Sequence, residues 1–201
     1  MSYKYSVQNY DNWLERWLAD RISCPGVALD VGCGPGIDTQ FLVARGFDVH
    51  ACDISEEALV ESRKMNPAVP HEIANARDLT PYADSTFDLV VAGLSLHYFD
   101  QSDTHRAFGA VHRVLKPNGR FLFRLNAWDD YEFGASKTFR PWQVVEEPHG
   151  VKKQFFSEAM IRELVSDRFE LLSIEKKRSD RYTKPKSFFE CCANCDRKKS
   201  S

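Results

Sequence analysis

The stretch that most restricts how this chain can fold is LDVGCGPGID, residues 29–38. An apolar run, Val27 to Val31, stops at three glycines set two apart: Gly32, Gly34 and Gly36. Glycine tolerates positive φ and lets main chain lie against a group that a side chain would displace. The glycines fall between a short buried strand and a helix. A turn so placed can cradle a nucleotide-like group with backbone amides.

Helical and extended patterns alternate along the rest of the chain. Trp13, Leu14, Trp17 and Leu18 recur at helical spacing, which predicts an amphipathic helix over 9–20. A helix over 39–45 ends at Gly46, and a strand over 48–52 follows. Ser55-Glu56-Glu57 opens a helix running to Met65, with acids in its first turn. A weaker strand lies at 71–76 and a strong one at 87–92, apolar on both faces as in a central parallel strand. A helix over 103–115, a turn at Lys116-Pro117-Asn118-Gly119 and a strand over 120–125 come next. A Ser-capped helix over 157–165 and a hairpin of strands 169–176 and 186–193 close the chain. This alternation predicts an α/β, Rossmann-like, mostly parallel sheet with helices on both faces. Ligands of such sheets bind beyond the carboxyl ends of the strands. Residues 127–156 fit no element, and a loop that long in a compact domain predicts a functional insertion.

At 201 residues the chain suits one domain. Its net charge of -2 supplies no global field toward nucleic acid or membrane. The N-terminus mixes charge with aromatics, unlike an export signal, and the apolar run from Leu89 to Leu96 is too short to span a bilayer. The six cysteines are therefore expected as reduced thiols in a cytoplasmic protein. Cys191, Cys192 and Cys195 lack the second pair a zinc site needs, and no metal is expected.

Asp53 ends the second strand, where a carboxylate can accept two hydrogen bonds from a ribose diol. The dinucleotide fingerprint fails: the third glycine position holds Ile37 counted from Gly32, or Thr39 counted from Gly34. A Walker loop fails too, because no Gly-Lys-Ser/Thr follows. Asp30 before Gly32-Cys33-Gly34-Pro35-Gly36 resembles motif I of the class I S-adenosylmethionine-dependent methyltransferases. Asp53-Ile54-Ser55 resembles the second motif. Ala76-Arg77-Asp78-Leu79 with Ala83 to Val90 resembles the adenine-binding turn and fourth strand. Leu96-His97-Tyr98-Phe99 and Arg113 to Arg120 complete the small-molecule, type 11-like pattern over 27–126.

The resemblance implies a seven-stranded sheet whose last hairpin inserts one antiparallel strand, in a single domain over 1–201. It implies S-adenosyl-L-methionine as cofactor. Gly32, Gly34 and Gly36 would line its methionine and ribose portion, with Asp30 near the ammonium and Asp53 on the ribose hydroxyls. Asp78 would accept from the adenine amino group, Leu79 would offer a backbone amide and apolar contact, and Ile54 belongs to the same cofactor set. Gly93-Leu94-Ser95 would flank the methionine. An N-terminal helical lid over 1–22 would place Tyr10 over the cofactor, and 127–156 would face the acceptor.

Several of these residues also have structural readings. Asp53 can cap the helix at Ser55, Asp78 can form the turn before Thr80-Pro81, and Asp30 can bond amides of its own loop. His97, just past the fourth strand, suits a general base, or else orients the loop; His149 is a weaker candidate. Asp129, Asp130, Glu146 and Glu147 can favour a cationic acceptor or form a solvated face. No Asn/Asp-Pro-Pro-aromatic motif or basic appendage points to nucleic acid. The expected function is methyl transfer to a small molecule. The alternatives are transfer to tRNA or protein with a partner, or cofactor binding without catalysis.

Overall fold

The structure is a computed structural model; it describes residues 12–18, 25–146, 150–180 and 182–196. The elements run in chain order as α1 (Glu15–Leu18), β1 (Val27–Val31), α2 (Ile37–Ala44), β2 (Asp48–Asp53), α3 (Glu56–Met65), β3 (His71–Ile73) and β4 (Phe87–Gly93). Then come α4 (Gln101–Val114), β5 (Leu115–Asn126), the small strands β6 (Val144–Glu146) and β7 (Lys152–Gln154), α5 (Glu158–Ser166), β8 (Phe169–Ser179) and β9 (Lys186–Cys195). Seven strands form one sheet in the order β3-β2-β1-β4-β5-β9-β8. β9 runs antiparallel between β5 and β8, as the resemblance implied. The order reverses between β1 and β4, which opens a crevice at their carboxyl ends.

Local chemistry accounts for the element ends. Ser55, Asp100 and Ser157 each accept from the amide three residues on, at Ala58, Asp103 and Met160. Gly46, at φ 84°, carries the chain out of α2. Two expectations need correction. β3 stops at Ile73 rather than 76, because Asn75 already turns the chain by accepting from the Arg77 amide. The Lys116–Gly119 turn lies inside β5 as a bulge, since Phe87 faces Leu115 while Leu89 faces Arg120. Lys116 closes that bulge on Asp88 at 2.8 Å.

The sheet is covered on both faces. Phe108, Val111 and Val114 of α4 and Ile161, Leu164 and Val165 of α5 pack with Phe121 and Phe123 on one face. Trp13, Leu14, Trp17, Leu18 and Leu42 pack with Leu89, Val91 and Leu122 on the other. Of the helix expected over 9–20, the described residues show α1, with Trp13 and Leu14 in the turn before it. A buried ion pair fastens this turn of helix to the sheet. Arg124 Nε and Nη2 both donate to Glu190 Oε2, Arg16 pairs with the other carboxylate oxygen, and the Arg124 guanidinium lies 4.4 Å over the Trp13 ring. Cys191 and Cys192 are buried and pack on opposite faces of β9, which rules out a shared ion. No helix among the described residues is long and apolar enough to cross a membrane.

Residues 127–156 are more ordered than their sequence suggests. A 3-10 turn spans Tyr131–Phe133, and β6 and β7 form a small antiparallel hairpin. The ends are pinned together: Phe156 N donates to Asn126 O and Trp128 N to Phe156 O. Gln154, fully buried, donates from Nε2 to Trp142 O. Short-range patterning missed the hairpin because its partner strands are three residues each, too short to show an alternation.

Candidate active site at the carboxyl ends of β1, β2 and β4

The three glycines serve different ends. A Cβ on Gly32 would lie 2.4 Å from Ser95 Cβ, so this glycine lets the chain after β4 close on β1. Ser95 then donates to Val31 O at 2.6 Å. A Cβ on Gly36 would lie 2.3 Å from Ser62 Oγ and 2.5 Å from Asn66 Nδ2, so this glycine admits α3. A Cβ on Gly34 would meet nothing within 4 Å. Two glycines therefore answer to the protein itself, and the middle one faces open space at the crevice. All three have positive φ.

The glycine amides of the turn are bonded within the protein. Gly32 and Cys33 donate to Cys52 O, Gly34 donates to Asp53 Oδ2, and Gly36 donates to Cys33 O. What the turn offers is clearance. Asp53 holds it: Oδ2 takes the Gly34 amide at 3.0 Å and Oδ1 the Ser55 amide at 2.9 Å. Each carboxylate oxygen has a second acceptor position, so Asp53 can pin the turn and still accept from a diol.

Three carboxylates converge here. Asp30 is buried, with Oδ2 accepting from Thr39 Oγ1 at 2.6 Å. Burial, then the charges of Asp38 and Asp53, push its carboxyl up to about 8. Asp38 stands in the first turn of α2, accepts from the Trp13 indole N–H at 3.0 Å, and would touch a Cβ on Gly93 at 2.4 Å. Beside them Leu94 holds a left-handed backbone, φ 61°, directly after β4. Strain of this kind collects at functional sites.

The adenine-side residues are arranged differently from expectation. Asp78 is exposed and bonds through Oδ1 to both the amide and the hydroxyl of Thr80, which also hold its carboxyl below the ordinary range. Leu79 is fully buried, its amide donates to Asn75 O, and its carbonyl accepts from Arg113. Its amide is thus already committed. Asn75 lies just past β3, next to Asp53, whose carbonyl accepts from Ala74 N. Extending β3 to 76 hid Asn75; ending the strand where Asn begins a turn would have revealed it. Ile54 is 69% exposed beside Asp53, an apolar side chain left uncovered at the crevice. Asp38 and Trp13 were also missed, since nothing in local spacing joins residues 25 apart. Tyr10, His149 and Glu147 lie outside the described residues.

His97 is 3% exposed, its ring centroid lies 4.1 Å from that of Tyr98 with the planes tilted by 37°, and its Nδ1 has no partner among the described residues. Burial, then Lys186 and Lys153, drive its pKa well below the ordinary value. The imidazole is therefore neutral and weakly basic, better suited to hydrogen bonding than to holding a proton. Two acids of the insertion are engaged within the protein. Asp130 is buried on Lys186 Nζ and the Ser187 amide, and Asp129 pairs with Lys176.

Comparison with known proteins agrees with this geometry. Residues 29–123 match the family described as methyltransferase domain. The chain is 38% identical over 112 residues to the mitochondrial arginine-hydroxylase NDUFAF5 of Mus musculus, covering 55% of this chain and 32% of that protein. It is 28% identical over 169 residues to malonyl-[acyl-carrier protein] O-methyltransferase of Pseudescherichia vulneris, covering 80% and 64%. The chain thus spans less than two thirds of these relatives' length. Its fold is that of 1,6-didemethyltoxoflavin-N1-methyltransferase of Burkholderia thailandensis, with TM-score 0.71, 20% identity, and coverage of 91% and 75%. The glycine turn and the aspartate on the neighbouring strand lie within the matched segment, and the inserted antiparallel strand completes the same fold: residues 29–123 are a methyltransferase domain, on the fold that S-adenosylmethionine-dependent methyltransferases share.

Proposed function

We propose that this chain transfers the methyl group of S-adenosylmethionine to a small-molecule acceptor by in-line displacement. The observation that carries this reading is the clearance over Gly34, bordered by Asp53 and backed by Asp30 and Asp38. The cofactor supplies a methyl already activated by positive sulfur. The protein's task is to position, to exclude water and to balance charge. Gly34 leaves room for the methionine–ribose portion, Asp53 accepts from the ribose hydroxyls, and Asp30 and Asp38 balance positive charge. Ile54 offers an apolar flank. On the adenine side we place Asn75, in preference to Asp78, because it adjoins Asp53 at the carboxyl end of β3. Leu94 and Ser95 line the methionine side, and His97 orients the acceptor as a neutral imidazole.

The relatives act, by their names, on an arginine and on an acid carried by a protein, so the acceptor's size is the part to test. Calorimetric titration should show S-adenosylhomocysteine binding and NADH inert. Asp53→Ala should weaken binding at least about tenfold, for one charge-assisted hydrogen bond lost. Transfer of labelled methyl into a metabolite panel supports a small acceptor. Transfer only into protein or tRNA fractions rejects it. No heat with S-adenosylhomocysteine rejects the cofactor site itself.

A further inference from the structure

Asn126, the last residue of β5, is fully buried, yet neither its Oδ1 nor its Nδ2 meets a partner. His97 Nδ1 is unmet in the same way. Buried polar groups are normally paired, so two such side chains in one place ask for a reason. Gly93 and Arg124 are the last pair between β4 and β5, so Asn126 overhangs the end of β4 by two residues, about 7 Å. By strand alternation its side chain shares a face with Arg124. The Arg124 guanidinium lies over Trp13, whose indole reaches Asp38 at the start of α2. The insertion brings the two orphan residues together. Gln154 N donates to His97 O at 2.7 Å and Phe156 N to Asn126 O at 2.9 Å, two residues apart on one extended segment.

Of the polar groups close by in chain or strap, Asp129 also has one unmet oxygen, Oδ1, its other oxygen pairing with Lys176; the rest have partners. Asp130 holds Lys186 and the Ser187 amide, Gln154 is bound to Trp142 O and Thr104, and Arg124 holds Glu190. What is left over is one donor beside one acceptor on Asn126, with an imidazole nitrogen nearby. A carboxylate would satisfy only Nδ2, and an ammonium only Oδ1. A donor placed beside an acceptor satisfies both.

We infer that Asn126 determines acceptor specificity by pairing with a neutral amide-like edge, such as a carboxamide, a lactam or a ring-nitrogen heterocycle, with His97 Nδ1 adding a third contact. This inference rests on the methyltransferase reading and names the substrate class of that same site.

The test uses the whole chain saturated with S-adenosylhomocysteine, probed by saturation-transfer NMR and titration with 2-pyridone, benzamide, benzoate and benzylamine. The amide-edged probes should bind and the charged ones should not. Asn126→Leu should weaken the amide probes at least about tenfold and raise Tm, because an unmet buried amide is replaced by an apolar group of similar size. Asn126→Asp, which keeps the shape and loses the donor, should show the same loss of probe binding if the Leu variant does not fold. Equal binding of all four probes, undiminished binding by both variants, or a lower Tm for folded Asn126→Leu overturns the inference. Retained S-adenosylhomocysteine affinity in the variants keeps such a failure separate from the cofactor site. Absence of that affinity in the unaltered protein overturns both.

Discussion

Asp30→Asn should make the protein more stable while weakening its cofactor binding. In the folded chain burial, Asp38 and Asp53 raise the Asp30 carboxyl to about 8, against an ordinary 3.8. Between those values the folded state keeps a proton that the unfolded chain has lost. Stability therefore falls as pH rises, by about 1.4 kcal/mol per pH unit, and levels off above pH 8. From 3.8 to pH 7 the ceiling on this cost is about 4 kcal/mol. Asparagine removes it and still accepts from Thr39 Oγ1. For a domain of this size each kcal/mol moves Tm by about 2–4 °C. Differential scanning calorimetry without cofactor should show Asp30→Asn melting higher at pH 7.5, by up to about 10–20 °C. The gain should shrink to a few degrees at pH 5. S-adenosylhomocysteine affinity should fall in parallel, since an anionic partner for its ammonium is gone. A Tm at or below that of the unaltered protein at pH 7.5, or a gain that does not vary with pH, refutes the claim that a convergent carboxylate cluster stores this cost.

The same linkage predicts that S-adenosylhomocysteine affinity of the unaltered protein rises from pH 6 to 8, with proton release measurable in buffers of different ionisation enthalpy; a flat profile removes Asp30 from the charge balance. Gly34→Ala should cost roughly 1 kcal/mol through its positive φ and lower cofactor affinity sharply. Gly32→Ala and Gly36→Ala should lose more stability, because their Cβ atoms collide with Ser95 and with Ser62 and Asn66; thermal melts and titrations on the three variants separate the cases. Glu190→Ala leaves buried Arg124 without its carboxylate and should destabilise by about 3–5 kcal/mol in urea denaturation.

The alternation of strands and helices and the caps at Ser55 and Ser157 were legible from the chain alone, and the seven-stranded sheet with its inserted antiparallel strand from the family resemblance. Each follows from local periodicity, from turn chemistry, or from a motif that is contiguous in sequence. Asp53 was legible for the same reason: it ends a strand whose position the pattern sets. Other assignments required the tertiary structure, because they depend on which distant groups meet. Nothing near Gly34 in sequence says that it faces open space while Gly32 and Gly36 answer to Ser95, Ser62 and Asn66. Asp38 joins the site through Trp13, 25 positions earlier, and the His97 pKa is lowered by burial and then by lysines on β9 and β7. Asn126 reads in sequence as an ordinary strand end; only the strap at 154–156 and the overhang past β4 make it a buried, unpaired amide. Chain-local interactions set element type and order. Burial and charge are sums over neighbours brought together by folding, so they decide which residues of those elements can do chemistry.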